Sequence, residues 1–256
     1  MTGTIVEKLA DYGVAERARA LPAEVRHHAK RALIDWFASL LPGSMVDPAQ
    51  AMIKGLADEL GHGRAYVYGS GKFGSLRAAA LINGTASHTI EFDDIFRDAI
   101  YHPGCPTIGA ALAAAQAKGA SAADLLTAII VGYEVSTRIG LSVQPSHYKS
   151  WHTTGTIGTY GAAAAVATIL KLNKEQFAHA LATSATMAAA LQQAFRSDSM
   201  SKPLHAGHAA EAGAMAALSA EYGMTGALDV LEGEAGFGAA MSTTVDWSKA
   251  TAGLGA

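Results

Sequence analysis

One cysteine, Cys105, stands among 256 residues. That scarcity excludes an internal disulfide and an all-cysteine zinc site, and a reducing compartment is expected. Beside Pro103 and Pro106 the thiol reads as a small packing residue. Charge is scarce too: only 16% of residues are charged and the formal net charge is −3, which provides no long-range field to gather nucleic acid or an anionic membrane. The first residues run from Met1 into Glu7 and Lys8 with no basic stretch leading an apolar one, so a cytoplasmic location is expected. Repeated apolar alternation is missing, which argues against an extended β-sheet. No internal repeat or low-complexity linker breaks the chain, so a single helical domain over 1–256 is the expectation. Walker loops, dinucleotide fingerprints and Gly-x-Ser-x-Gly elbows are missing as well. The glycine-rich stretch from Tyr68 to Ser75 fits none of them and reads as a flexible loop, with Lys72 available to an anion.

What the chain has is apolar residues, at 50% of the total, arranged mostly with helical spacing. Pro22 opens a run in which Val25, Ala29, Leu33, Trp36, Phe37 and Leu40 recur every three or four residues, predicting an amphipathic helix through Leu41. Asp47-Pro48 starts another, predicted through Leu60, and Ser121 with Asp124 makes a capping-box entry into a helix reaching Gly140. Pro106 to Lys118, Thr154 to Leu170, Lys174 to Gln192 and Pro203 to Tyr222 are rich in Ala, Gly, Ser and Thr. Alanine favours helix, and small side chains let helix axes approach, so these are the expected central helices of an all-α, compact bundle. Two charge-free runs, Thr153 to Leu170 and Gln176 to Phe195, approach membrane-spanning length, but their small and polar residues suit buried helices better. Only Ala65 to Tyr68 reads as a short extended piece.

Three clusters carry the chemistry. Glu91, Asp93 and Asp94 crowd three carboxylates together, followed by Asp98 and His102. Mutual repulsion raises the proton affinity of at least one, which suits general-acid work or the orientation of a histidine, and equally suits a solvated loop. His152 with Thr153 and Thr154 precedes an Ala-rich helix, whose N–H groups and dipole make a carboxylate-binding corner unless the threonines only cap it. Lys202 stands before Pro203 at the mouth of a third helix, adding a fixed cation to the same kind of end. His205, His208 and Glu211 follow at three-residue steps. A metal there lacks a fourth ligand, and no metal is expected.

The block from Ala79 to His88, continuing through Glu91-Phe92-Asp93-Asp94 to His102-Pro103-Gly104, resembles the first signature of the MmgE/PrpD family. Ser201-Lys202-Pro203-Leu204-His205 through Ala210 is similar to its second, and Leu231-Glu232-Gly233-Glu234 with Gly236-Phe237 to a third. The resemblance runs over essentially the whole chain. It implies an enzyme that works without metal or organic cofactor on small di- and tricarboxylates, moving a proton next to a carboxylate. Matching motif positions puts the family's site residues on Glu91, Asp93, His102, His152 and Lys202. His102, His152, Lys202 and Asp93 are the expected catalytic set, and Glu91, Asp94, Thr153, Lys202 and His205 the expected substrate contacts. A homodimer is implied. Family proteins continue into an α/β lid domain, which this chain is expected to lack, leaving the site open or covered by a second chain.

The expected activity is a lyase, a dehydratase or decarboxylase for a small polycarboxylate. An epimerase or isomerase of similar acids, and a non-catalytic carboxylate-binding module, are the alternatives.

Overall fold

A computed structural model of the chain describes residues 3–197 and 199–255. Thr4 and Glu7 form a reciprocal capping box that starts α1 (Ile5–Glu16). Helix α2 (Ala23–Gly43) follows Pro22 and buries Trp36 and Leu40, as its apolar spacing predicts. Helix α3 (Ala49–Gly55) is shorter than expected. The chain leaves it at Gly55 because the next residues form strand β1 (Leu60–Val67), which takes Leu60, Ala65 and Val67 into the core.

Strand β1 pairs antiparallel with β2 (Lys72–Gly74), Tyr66 facing Phe73 and Val67 facing Lys72. The glycine-rich stretch expected to be a flexible loop is therefore a hairpin: Gly69 and Gly71 supply the positive φ values of 80° and 69° that its turn requires. Ser75 then caps α4 (Leu76–Ser87).

Beyond the hairpin the described chain is helical apart from its connecting loops. Helix α5 (Gly104–Lys118) leads to α6 (Ala122–Val143), where the Ser121–Asp124 capping box forms as read from the sequence. Helix α7 (Thr153–Ile169) and α8 (Lys174–Ala185) follow. The helix expected to reach Gln192 stops at Ala185 because the backbone beyond it is used elsewhere. The His152 N–H donates to the Ala190 carbonyl at 2.9 Å, and Trp151 bridges Leu191. Helix α9 (Ser201–Glu221) and the short α10 (Phe237–Met241) and α11 (Ser248–Thr251) complete the described chain.

Helix α7 is the axis of the bundle, buried at every position and packed against α5, α6, α8 and α9. Its Gly and Ala residues make that possible, since close helix approach leaves no room for larger side chains. The crossing of α4 and α9 is tighter still. A Cβ on Gly207 would lie 2.1 Å from Thr85 Oγ1 and 2.2 Å from the Leu81 carbonyl oxygen. That contact locks the start of α9 beside the end of α4. Among the described helices α6, rather than either run flagged from the sequence, is long and apolar enough to cross a membrane. More than half of its most apolar window is buried against neighbouring helices, the pattern of a core helix.

Candidate active site

The tight α4–α9 crossing brings four segment ends to one corner: the end of α4 and the starts of α5, α7 and α9. Each contributes an imidazole. His88 directly follows α4, His102 precedes α5, His152 is the N-cap residue of α7 and His205 lies in the first turns of α9. Their ring centroids form a row, 4.9 Å from His102 to His88, 5.5 Å from His88 to His152, and 5.3 Å from His152 to His205. Sequence reading selected His102, His152 and His205 and missed His88, which sits at the centre. The only signal for it was its place in the signature block, five residues before Asp93.

Asp93 is the anion of this row. Its Oδ2 lies 2.9 Å from His88 Nδ1 and 3.3 Å from His102 Nδ1, and the carboxylate is almost wholly buried. Burial pushes its proton affinity up, but the His102 and His88 side chains more than offset that, so the carboxyl sits below the usual range. The reciprocal effect acts on His102. Burial there favours the neutral ring, yet the Asp93 carboxylate 3.3 Å away, followed by the charge of Asp94, raises its pKa above the ordinary value.

His152 goes the other way. Burial, then the neighbouring His88, His205 and Lys202, push it down to about 2, and burial with His208 and His88 brings His205 to about 4. Their Nδ1 atoms are 3.1 Å apart, so one ring donates and the other accepts. The corner therefore holds one proton-rich imidazole, His102, and a proton-poor pair, His152 and His205. Opposed shifts of this kind divide acid from base roles.

The acidic loop that supplies Asp93 divides its carboxylates among different tasks. Asp94, expected to touch substrate, instead accepts from the Gly104 N–H at 3.0 Å and from the Tyr133 hydroxyl at 2.8 Å. It caps α5 and ties the loop to α6. Burial, only partly countered by those two donors, lifts its pKa to about 6. Thr153, another of the expected contacts, is fully buried and accepts from the Gln144 side chain at 3.0 Å. Thr154 accepts from the His102 N–H at 3.2 Å. Both threonine hydroxyls at the start of α7 are thus buried and engaged by protein partners.

The open cleft lies at the start of α9. It encloses about 440 Å³, with Glu91, Thr89, Phe195, Ser199 and Lys202 among the residues that line it. Lys202 forms an ion pair with Glu91, whose backbone sits in the left-handed region at φ 61°. A non-glycine residue at positive φ is strained, and such strain gathers at functional positions. Glu91 faces the cleft as the counter-ion of Lys202. Phe195 joins the two halves of the site. The Lys202 ammonium lies 5.3 Å from its ring centroid, and the His152 ring meets it edge-on at 5.1 Å. Lys202 and His152, 50 residues apart in sequence, flank the same ring.

His205, His208 and Glu211 do not gather into a ligand set. Glu211 pairs with Arg77, His208 faces the Met187 carbonyl at 3.3 Å, and His205 belongs to the imidazole row. Among the described residues the tightest group of this type is His88, Asp93 and Cys105, with one ligand atom of each within 4.8 Å of the others. There His88 and Asp93 bond each other, and burial with the nearby carboxylates of Asp93 and Asp94 holds the Cys105 thiol protonated.

The profile of the MmgE/PrpD N-terminal domain matches residues 7–250. The chain belongs to the MmgE/PrpD family. A cis-aconitate decarboxylase-like protein, oryM of Aspergillus oryzae, is 30% identical over 239 residues, which is 90% of this chain and 49% of that protein. Human cis-aconitate decarboxylase is 37% identical over 166 residues, 63% of this chain and 34% of its own. The Aspergillus terreus enzyme is 28% identical over 219 residues, 83% of this chain and 44% of its own. This MmgE/PrpD chain thus spans at most about half the length of the curated relatives it matches.

Proposed function

We propose that this chain carries the charged half of a lyase site that decarboxylates a small polycarboxylate, with cis-aconitate the first candidate from its relatives' names. The observation that carries the reading is the division of proton affinity within the imidazole row beside a cleft lysine. In the proposed step Lys202 holds a substrate carboxylate and exchanges its ion pair with Glu91 for one with the substrate. The bond from another carboxylate to the carbon chain breaks, carbon dioxide leaves, and the electron pair passes to the carbon chain. His102, whose protonated form Asp93 favours, delivers the proton that completes the product.

A decarboxylation of this form needs one proton delivered to carbon. His102 suits it, because about a fifth of its side chain reaches solvent whereas His152 is nearly closed off behind Phe195. A two-base epimerase needs acceptor and donor on opposite faces of the substrate, and a dehydratase needs a group to protonate a leaving hydroxyl. Both are less favoured alternatives. Cover for the open side of the cleft belongs to the reading, since excluding water strengthens each charge interaction there.

The test is incubation of the purified chain with cis-aconitate and with other di- and tricarboxylates, followed by proton NMR. Appearance of a decarboxylated acid that Lys202→Ala and His102→Ala abolish supports the proposal. Binding by calorimetry that Lys202→Ala weakens, with no acid converted, favours the second reading, a carboxylate-binding module.

A further inference from the structure

His88 has no assigned role, yet it touches both halves of the imidazole row. Its side chain is completely buried. Its Nδ1 takes the shorter contact to Asp93 Oδ2, while His102 approaches the same oxygen at 3.3 Å without hydrogen-bond alignment. Its other face stacks on His152 with only 19° between the ring planes. Its Nε2 and the second Asp93 oxygen are both buried without a partner. A buried imidazole with only one bond made is costly to keep, so a core built for packing alone would favour an apolar ring here.

We propose that His88 is a positioning residue: by donating from Nδ1 to the oxygen that His102 also uses, and by stacking on His152, it orients both imidazoles and limits how firmly Asp93 holds the His102 proton. The geometry is independent of the reaction, and only the catalytic consequence rests on the proposed decarboxylation. The groups facing His102 are Asp93 and Asp94 on the acidic loop, His88 at the end of α4, and Lys202 on α9, with His152 beyond His88. Of these, His88 is the one that competes with His102 for the same acceptor atom. Removing its donor concentrates the carboxylate's charge on His102. The imidazolium of His102 is then held longer as pH rises.

The experiment is a histidine side-chain NMR titration of the unmodified chain, His88→Phe and His88→Asn. Phenylalanine keeps a ring against His152 but removes the donor, whereas the asparagine amide sits near the Nδ1 position and keeps a donor to Asp93. His88→Phe is expected to move the His102 midpoint upward by about half a unit to one unit, a roughly three- to tenfold rise in proton affinity. His88→Asn is expected to restore it to near the original value. A side chain with a merely structural role does not separate the two variants in this way. An unchanged midpoint in folded His88→Phe overturns the proposal, and so does an Asn variant that titrates like the Phe one. Should neither variant fold, the unmodified chain decides: nitrogen shifts placing the His88 hydrogen on Nδ1 support the proposal, and a hydrogen on Nε2 overturns it. All these readouts are independent of turnover, so an inactive chain counts against the decarboxylase reading and leaves this one standing or falling by itself.

Discussion

The two ends of the site differ in how they hold charge. At the histidine end, Asp93 is closed off from water and its charge is shared between two imidazoles. At the lysine end, Glu91 is about half exposed and pairs with Lys202 across an open cleft. A buried carboxylate with fixed partners changes the proton affinity of its neighbours, because low dielectric magnifies each contact. An exposed pair is screened and readily exchanged, and contributes little to stability. One end is thus suited to hold a proton, and the other to trade one carboxylate for another.

Four experiments break or sharpen this contrast. The largest effect is expected from His102→Ala, which removes the proton-rich imidazole. Turnover of the accepted acid should fall by roughly 10²–10⁴, the range for a positioned proton donor, while binding changes only a few-fold. Equal losses in both, measured by NMR assay and calorimetry, would place His102 in binding and erase the distinction between the ends.

Lys202→Ala should weaken carboxylate binding by about 10- to 100-fold, the scale of a lost charge-assisted contact, with thermal unfolding little altered. Calorimetric affinities that match the unmodified chain would show the anion sits elsewhere.

The pH dependence comes next. Asp93 raises the His102 pKa above the ordinary 6.5, so the acid form is present below that raised value and lost as pH rises through it. Turnover should therefore decline on an alkaline limb lying above pH 6.5. The same linkage governs stability: the His102–Asp93 contribution is intact below the ordinary histidine value and fades as pH rises through the raised one. At the acid end the carboxylate's share is present above its ordinary value of 3.8 and lost as pH falls through the depressed one. An alkaline limb centred at or below 6.5 contradicts the Asp93 effect.

Glu91→Gln should have the smallest effect and the opposite sign. Freed from its counter-ion, Lys202 should bind carboxylates about three- to tenfold more tightly at low salt, an advantage that shrinks as salt screens it. Weaker binding in that variant would mean that Glu91 touches the ligand directly.

Much of this was legible from residues alone, and the limits are physical. Helix starts such as Ser121 with Asp124 were readable because capping is a local hydrogen-bond pattern. The ends of α3 and α8 were not, since a strand partner and the loop before α7 claimed their backbone. Lys202 and the acidic loop were found because charge is conspicuous in a chain with so little. Thr153 and Asp94 were assigned to substrate from residue type, yet Gln144, Gly104 and Tyr133 occupy them. Those partners lie 9 to 39 residues away along the chain, beyond the reach of any local pattern.

The sequence by itself determined the helical class, the family and the set of ionisable groups available for chemistry, because spacing, small residues and motif blocks are properties of the chain read in order. Only the tertiary structure decided which of those groups share an atom. The close passage of α9 over α4 at Gly207 brings buried His88, Asp93 and His152 into one row with the partly open His102, while leaving Lys202 at the cleft mouth. Burial and distance, which set proton affinity, exist only once those segments have packed.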